Sequence, residues 1–219
     1  MGNNNHFLRF VNTLRTQRGI SMRQLCDGLC NTRVLSYVEK GQRRINYFLQ
    51  RRLLERLGID TWDFEIFVDR KEYDNICKRI QIIQYINEGN YSVSSRLLDE
   101  YEEKYGSKNN LCKQFYYAMK AQIAILMGNQ DELVFEYLRE GLELTFSSWG
   151  EYQFDEKVIS MTEMNLLLEI SRFESAEKRK EIYKRILEYI DGKDWDKGCL
   201  TKIYPKVVCL YCENDDNIF

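Results

Sequence analysis

The sequence contains few of the residues that interrupt helices or carry out catalysis. Among its 219 residues there is one proline, Pro205, and one histidine, His6. Because proline disrupts a helix interior, its scarcity predicts long uninterrupted helices. There is no glycine-rich phosphate loop, no nucleophile elbow and no set of four zinc ligands. We therefore expect a protein that is not an enzyme and that needs no cofactor or metal.

Long apolar runs are also missing. No stretch approaches the roughly 18 apolar residues of a membrane span, and the polar start MGNNNH does not resemble a signal peptide. Seven cysteines, an odd number without an export signal, favour free thiols in a reducing cytoplasm. We expect all seven to be buried, and a redox role for the pair Cys209 and Cys212 stays open.

Charge is unevenly distributed along the chain. Residues 1–60 hold 11 basic residues, ten of them arginine, against four acidic ones, a net charge of +7. Residues 61–219 hold 21 basic and 30 acidic residues, a net charge of −9. Arginine suits phosphate and base-edge contacts because its guanidinium donates two hydrogen bonds side by side. The distribution assigns any DNA contact to the first 60 residues and another task to the rest.

Residues 21–41, SMRQLCDGLCNTRVLSYVEKG, predict two short helices joined by a tight turn. Ser21 and Asn31 are suitable N-caps for the two helices, since their side chains accept hydrogen bonds from first-turn amides. Gly28 is suited to the turn because glycine adopts positive φ without strain. The second helix presents a polar face that carries Arg33. Such a helix-turn-helix fits the major groove of DNA.

Two further helices are predicted on either side of this pair. Residues 6–18 form the first, with Arg9, Arg15 and Arg18 facing outward. Residues 46–57 form the other, capped by Asn46. Its arginines are expected to pair in part with acidic residues nearby or in the acidic remainder of the chain.

Residues 6–58 resemble the Xre/Cro family of bacterial helix-turn-helix domains. The resemblance rests on the upstream helix FLRFVNTLRTQRGI, the start at Ser21, the run LS-x-V-E-x-G and the closing RRLLERLGI. It implies DNA binding by the second helix and the loop after it, with Arg33 as the first choice for a guanine contact. The predicted DNA-binding residues are Ser21, Arg23, Asn31, Thr32, Arg33, Ser36, Tyr37, Lys40, Arg43 and Arg44. For the loop 40–44, a solvated surface without DNA contacts is the alternative.

Beyond residue 72 the pattern predicts one helix after another. Gly-Asn turns at Gly89 and Gly128 are 39 residues apart, and each joins a long helix to a shorter one. This internal repeat resembles tetratricopeptide repeats. A third hairpin without the glycine is predicted at 155–190, and a last helix around Pro205.

Stacked hairpins of this kind form a solenoid whose concave wall is lined by the first helix of each pair. Apolar, amide and guanidinium groups on that wall suit an extended peptide. The predicted ligand-binding residues are Arg79, Ile83, Asn87, Phe115, Gln122 and Asn165. For each of them, a solvated or core position is the alternative.

The predicted fold class is all-α, with an N-terminal helix-turn-helix domain followed by an α-solenoid of tetratricopeptide-like hairpins. The predicted domains are 1–60 for DNA binding, 61–71 as a joint or dimer contact, and 72–219 for the repeats. This combination resembles the Rgg/PlcR/PrgX group of peptide-responsive regulators, which implies double-stranded DNA, a short peptide and a second copy of the chain as partners. The alternative is a protein-binding adaptor whose helix-turn-helix serves a protein interface.

Overall fold

The computed structural model describes residues 4–61, 66, 68–106, 109–151, 154 and 157–216. Within these ranges the secondary structure is helical, and no strand occurs. The predicted all-α fold class is confirmed. The α-helices are α1 (Asn4–Gln17), α2 (Met22–Cys26), α3 (Thr32–Glu39), α4 (Tyr47–Arg56), α5 (Arg70–Asn87), α6 (Tyr91–Tyr105), α7 (Asn110–Leu126), α8 (Asp131–Glu143), α9 (Met161–Ser171), α10 (Ala176–Asp191) and α11 (Lys197–Asp216).

The three predicted N-caps of the helix-turn-helix region are confirmed. Ser21 Oγ accepts a hydrogen bond from the Gln24 amide at 3.2 Å, and the Gln24 side chain accepts one from the Ser21 amide. Asn31 Oδ1 accepts from the Arg33 amide at 2.8 Å, and Asn46 Oδ1 accepts from the Leu49 amide at 2.9 Å. These bonds satisfy amides that have no partner inside the helix, and they fix where α2, α3 and α4 begin.

The chain forms two compact units. One consists of Met1–Glu65 together with Ser148–Phe219, and the other is Ile66–Ser147. Helices α1–α4 and α9–α11 therefore belong to the first unit, and α5–α8 to the second. The predicted domain division 1–60, 61–71 and 72–219 stays a prediction, because compactness shows which segments pack together and does not show where a repeat family begins.

The core of the first unit is made by apolar stripes on its helices. Gly58, shortly after α4, lies against the segment before α11. Its φ is +70°, and an added Cβ would lie 3.2 Å from Arg18 Nη1, the Asp194 carbonyl oxygen and the Trp195 ring. Any side chain there would be both strained and crowded. The fully buried apolar residues of this unit include Val11, Leu25, Leu35, Val38, Leu53, Leu54, Leu167, Ile170, Ile203 and Val207.

The second unit contains two helical hairpins, α5–α6 and α7–α8. The predicted turn glycines, Gly89 and Gly128, have φ of +73° and +67°. Glycine also lets α7 and α8 approach closely, because a Cβ on Gly141 would lie 3.2 Å from Tyr117 Cβ. Gln114 joins the same two helices by donating to the Gly141 carbonyl at 2.9 Å.

Three predictions about the exposure of side chains are wrong. Arg15 does not face outward: it is buried by an ion pair with Glu39. Only 14% of the Arg18 side chain is exposed, and its guanidinium lies near Gly58 and donates to Asp194. The cysteines are not all buried either. All seven thiols are free, but those of Cys77, Cys209 and Cys212 are exposed on the surfaces of α5 and α11.

No described helix combines the length and the apolar content that a bilayer crossing requires. Histidine, cysteine and acidic side chains do not form a group of three or more suited to a metal ion anywhere in the described part of the chain.

Candidate nucleic-acid interface

Helix α3 presents a polar line and buries an apolar one. Leu35 and Val38 are fully buried. Arg33, Tyr37 and Lys40 lie four and three residues apart, so they share the opposite side of the helix over roughly 10 Å. All three are exposed, and half of the Tyr37 surface is accessible. A cation, a phenol and a second cation in line form a surface that can enter a groove of DNA.

The other predicted DNA-binding residues lie around this line. Thr32 and Asn31 are exposed at the start of α3, and Ser36 is half-buried on its flank. Ser21 and Arg23 are exposed at the start of α2. Lys40, Arg43 and Arg44 are exposed in the loop that follows α3. DNA contact by these ten residues stays a prediction, because exposure alone does not identify what they bind.

Acidic charge is largely neutralised on this surface. Glu39, the one acidic residue of α3, is buried, and Arg15 contacts both of its carboxylate oxygens, with Nε at 2.7 Å and Nη2 at 3.1 Å. Arg15 also donates to the Ile20 carbonyl at 2.8 Å, so α1 is tied to α3 and to the loop before α2. Asp27 is exposed but pairs with Lys157 at 3.1 Å. The field near α3 is therefore dominated by exposed cations, which suits a phosphate backbone.

A second buried ion pair holds the turn of the helix-turn-helix. Arg56 Nη1 donates to the carbonyls of Leu25 and Asp27, at 3.1 and 2.6 Å. Its Nη2 donates to Glu163 Oε1 at 2.7 Å, and Glu163 is completely buried. Arg52 lies 3.8 Å from the same carboxylate. The prediction that the arginines of the fourth helix pair in part with acidic residues is confirmed.

Glu163 lies in the first turn of α9 and is held in its charged form. Burial raises the pKa of this carboxyl, but the guanidinium groups of Arg56 and Arg52 and the hydrogen bond from the Ser160 amide outweigh burial and lower it. Ser160 and Glu163 also form a capping box, in which the Ser160 amide donates to Glu163 Oε2 at 2.7 Å. The same carboxylate thus takes part in the N-terminal cap of α9 and anchors the arginine that holds the turn of the helix-turn-helix.

Cys26 and Cys30 lie in this turn. The Cys30 amide donates to the Cys26 carbonyl at 3.0 Å, which places the two residues one helical turn apart. The neighbouring thiol of Cys26, followed by burial, raises the pKa of Cys30. A thiol with a raised pKa is a poor nucleophile.

The predicted ligand-binding residues of α5 and α7 fall into two groups. Arg79 and Phe115 are brought into contact, with the guanidinium 4.5 Å from the ring centroid, and Arg79 Nε donates to the Tyr101 hydroxyl at 2.8 Å. Ile83, Asn87 and Gln122 are exposed and form no such cluster. Arg79 thus already has protein partners.

Asn165, the last of the predicted ligand-binding residues, belongs to α9 in the first unit. It is exposed, its Nδ2 donates to the Met161 carbonyl at 3.0 Å, and its Oδ1 accepts from Lys206 at 3.1 Å. Ligand contact by these six residues stays a prediction.

The residues that hold the interface in place were missed at the level of sequence, although two signals were available. Glu39 stands four residues after Leu35, a position that belongs to the buried side of α3. The run Ser160-Met161-Thr162-Glu163 has the S-x-x-E spacing of a capping box. Neither signal predicts which residue the carboxylate pairs with. Arg15 lies 24 residues from Glu39 in sequence, and Arg56 lies 107 residues from Glu163.

No family profile matches this sequence, and no curated protein matches it significantly. Among solved structures, the chain is similar to PlcR of Bacillus thuringiensis, crystallised in complex with the peptide PapR7 and DNA. The two chains share 14% sequence identity over 96% of this chain and 72% of PlcR, with a TM-score of 0.47.

Proposed function

We propose that this chain is a sequence-specific DNA-binding regulator of transcription, of the Xre type, which acts as a homodimer. The observation that carries the proposal is the exposed line Arg33, Tyr37 and Lys40 on a capped helix whose other side is buried. Arg33 and its neighbours read base edges in the major groove, and the cations of the following loop contact phosphates.

The rigidity of the surface supports this function. Base readout requires side chains held at a fixed distance from the groove, and α3 is fixed by its Asn31 cap, by the pair between Arg15 and Glu39 and by the bonds of Arg56 to the turn. A helix serving a protein interface normally presents apolar or aromatic anchors. Tyr37 is the one large apolar side chain exposed on α3, and it has cations on both sides.

The experiment is selection of bound duplexes from a random pool by the full chain, at about 50 and 200 mM salt, with sequencing of the bound fraction. We expect an enriched inverted repeat whose half-sites lie about one helical turn, or a multiple of it, apart. Binding without an enriched sequence would refute sequence-specific readout. No binding at the lower salt concentration would refute the regulator and favour the adaptor.

The helical hairpins are proposed to bind a short peptide through exposed groups on α5 and α7. The support is chemical: Asn87 and Gln122 offer exposed amides, and Ile83 offers an exposed apolar side chain, 39% accessible. Selection from a random heptapeptide library should lose its enriched sequences in the double variant Asn87→Ala/Gln122→Ala. The variant Gln81→Ala, which removes another exposed amide of α5, is the matched control. Unchanged enrichment in the double variant would refute this site.

A further inference from the structure

A cavity of about 300 Å³ lies within the first unit, beside the end of α4. Its walls combine three kinds of group. Arg18 and Lys193 supply cationic side chains, Tyr189 and Trp195 supply aromatic rings, and Leu57 supplies aliphatic surface. Several lining residues are exposed, Lys193 among them, so the cavity is open to solvent on one side.

Arg18 is poorly paired for a guanidinium at this depth. Only 14% of its side chain is exposed, and a guanidinium carries five N–H donors. Within the described chain it makes one hydrogen bond, from Nη2 to Asp194 Oδ2 at 3.3 Å, and Nε is shielded from solvent without any partner. Asp194 is a weak counter-charge, because 85% of its side chain is in solvent. Burial of a cation is costly unless an anion is held close to it.

Trp195 carries a second buried donor at this cavity. Its side chain packs at the wall of the cavity, 7% of the residue is exposed, and its ring lies 6.3 Å from that of Tyr189. The indole Nε1 has no hydrogen-bond partner in the part of the chain that the structure describes. Two buried donor atoms on residues that line this cavity, Arg18 Nε and Trp195 Nε1, therefore lack acceptors within the described chain.

We infer that this cavity is a binding site for a carboxylate attached to an apolar or aromatic group. The carboxylate accepts hydrogen bonds from the Arg18 guanidinium in the bidentate manner that this pair favours. Its apolar group packs against Leu57 and the rings of Tyr189 and Trp195, and Lys193 adds positive charge at the rim. Asp194 competes for the same guanidinium and leaves it when the ligand binds. The site is independent of the proposed DNA and peptide contacts.

Two sources supply this chemistry: a free organic acid and the C-terminal carboxylate of a peptide. The cavity volume is at the lower end of the range for small-molecule sites, so it accommodates a small acid or the last residue of a longer chain. Arg56, which holds the turn before α3, also lines the cavity, so a bound ligand lies next to the helix-turn-helix.

The test is isothermal titration calorimetry of the full chain with phenylacetate, its neutral isostere phenylacetamide, and the tripeptide Gly-Leu-Phe with a free or an amidated C-terminus. We expect phenylacetate or the free tripeptide to bind with a Kd of about 1 mM or tighter, and the uncharged forms at least about tenfold more weakly. Stronger binding of phenylacetate identifies a free acid as the ligand type, and stronger binding of the free tripeptide identifies a peptide C-terminus.

Three variants assign the binding to Arg18. Arg18→Met should weaken the carboxylate probes by about tenfold or more, whereas Arg9→Met, the same change at an exposed position of α1, should leave them unaffected. Asp194→Ala removes the competing carboxylate from an exposed position, so it should fold normally and bind the probes more tightly. Equal affinity for acid and amide, no binding of either acid probe at 10 mM (about ten times the expected Kd), or no effect of both Arg18→Met and Asp194→Ala would overturn the inference.

Discussion

The guanidinium of Arg56 makes contacts in two directions. On one side it donates to the carbonyls of Leu25 and Asp27 in the turn before α3, and on the other it meets the buried carboxylate of Glu163. Arg15 acts similarly on α3 through Glu39. At the scale of single residues, the exposed side chains of α3 are positioned by two arginines that are themselves hidden from solvent.

Arg33→Ala is expected to weaken binding to the selected operator by roughly 1–3 kcal/mol and to relax specificity at one base pair. The reason is the loss of paired donors to a guanine edge. Competition binding with single-base variants of the operator measures both effects. Arg172→Ala removes an exposed arginine after α9 and serves as the control. Equal weakening of binding to every operator variant would instead show that Arg33 contacts a phosphate.

Glu163→Gln is expected to destabilise the fold by about 3–5 kcal/mol near neutral pH, because it removes the buried anion that pairs with Arg56 and lies close to Arg52. A carboxyl whose pKa is lower in the folded state stabilises above its unfolded pKa of about 4.3, and this contribution is lost as the pH falls through the folded pKa. The difference between wild type and variant should therefore shrink below about pH 4. Urea unfolding of both proteins at several pH values measures this difference in the free energy of unfolding.

Glu181→Gln is the matched control for this change. Glu181 is exposed and pairs with Arg185 one turn away on α10 at 2.6 Å. Such surface pairs contribute little, about 0.3–0.5 kcal/mol. A Glu163 variant no more affected than this control would mean that the buried pair does not stabilise the fold.

At the scale of elements, the first unit depends on how closely the end of α4 approaches the segment before α11. The Asp196 amide donates to the Gly58 carbonyl at 2.9 Å, and the Asp60 amide donates to the Asp196 side chain. Lys202 on α11 also pairs with Asp60, at 2.5 Å. Gly58 permits this approach because it has no side chain.

Gly58→Ala should cost more stability than Gly19→Ala. Both glycines have positive φ, +70° and +65°, so both substitutions incur backbone strain of about 1–2 kcal/mol. A Cβ at Gly19 meets no atom within 4 Å, whereas one at Gly58 meets three at 3.2 Å. Thermal unfolding of the two variants separates crowding from strain. Equal losses would show that the neighbours of Gly58 move aside freely.

At the scale of the whole molecule, the helix-turn-helix shares a compact unit with α9–α11. Its α4 carries the buried arginines Arg52 and Arg56, whose counter-charge Glu163 comes from the later segment. Removing that segment takes away the buried carboxylate that pairs with Arg56. The helix-turn-helix therefore depends on residues that follow it by about a hundred positions.

A fragment of residues 1–65 should accordingly be far less stable than the same segment in the full chain. The loss of the pair with Glu163 alone is worth about 3–5 kcal/mol, a large part of the 5–15 kcal/mol typical of a domain. Circular dichroism on heating compares the melting temperatures of the fragment and the full chain. A separate fragment of residues 148–219, added to the first, should restore its helix content. A fragment 1–65 that melts at the temperature of the full chain would contradict this dependence and support the predicted boundary at residue 60.

Structural features that depend on residues close together in the sequence could be predicted from it. The caps at Ser21, Asn31 and Asn46 depend on residues two or three positions apart, so they are readable from the chain. The buried pairs are not, because a charged residue at a helical position gives no sign of a distant partner. Helix α5 shows a third limit: Ile80 and Ile83 are exposed while Ile82 and Ile86 are buried, and isoleucines on several sides do not reveal which side faces the core.

The discontinuous first unit has a consequence for synthesis. A ribosome completes residues 1–65 early and then makes the 66–147 segment before the remaining part of the unit emerges. At about 5–20 residues per second, that interval lasts roughly 4–16 s. The second unit, made of one continuous segment, is ready to fold during this time. The unit that contains the helix-turn-helix is therefore the first to be started on the ribosome and the last to be completed.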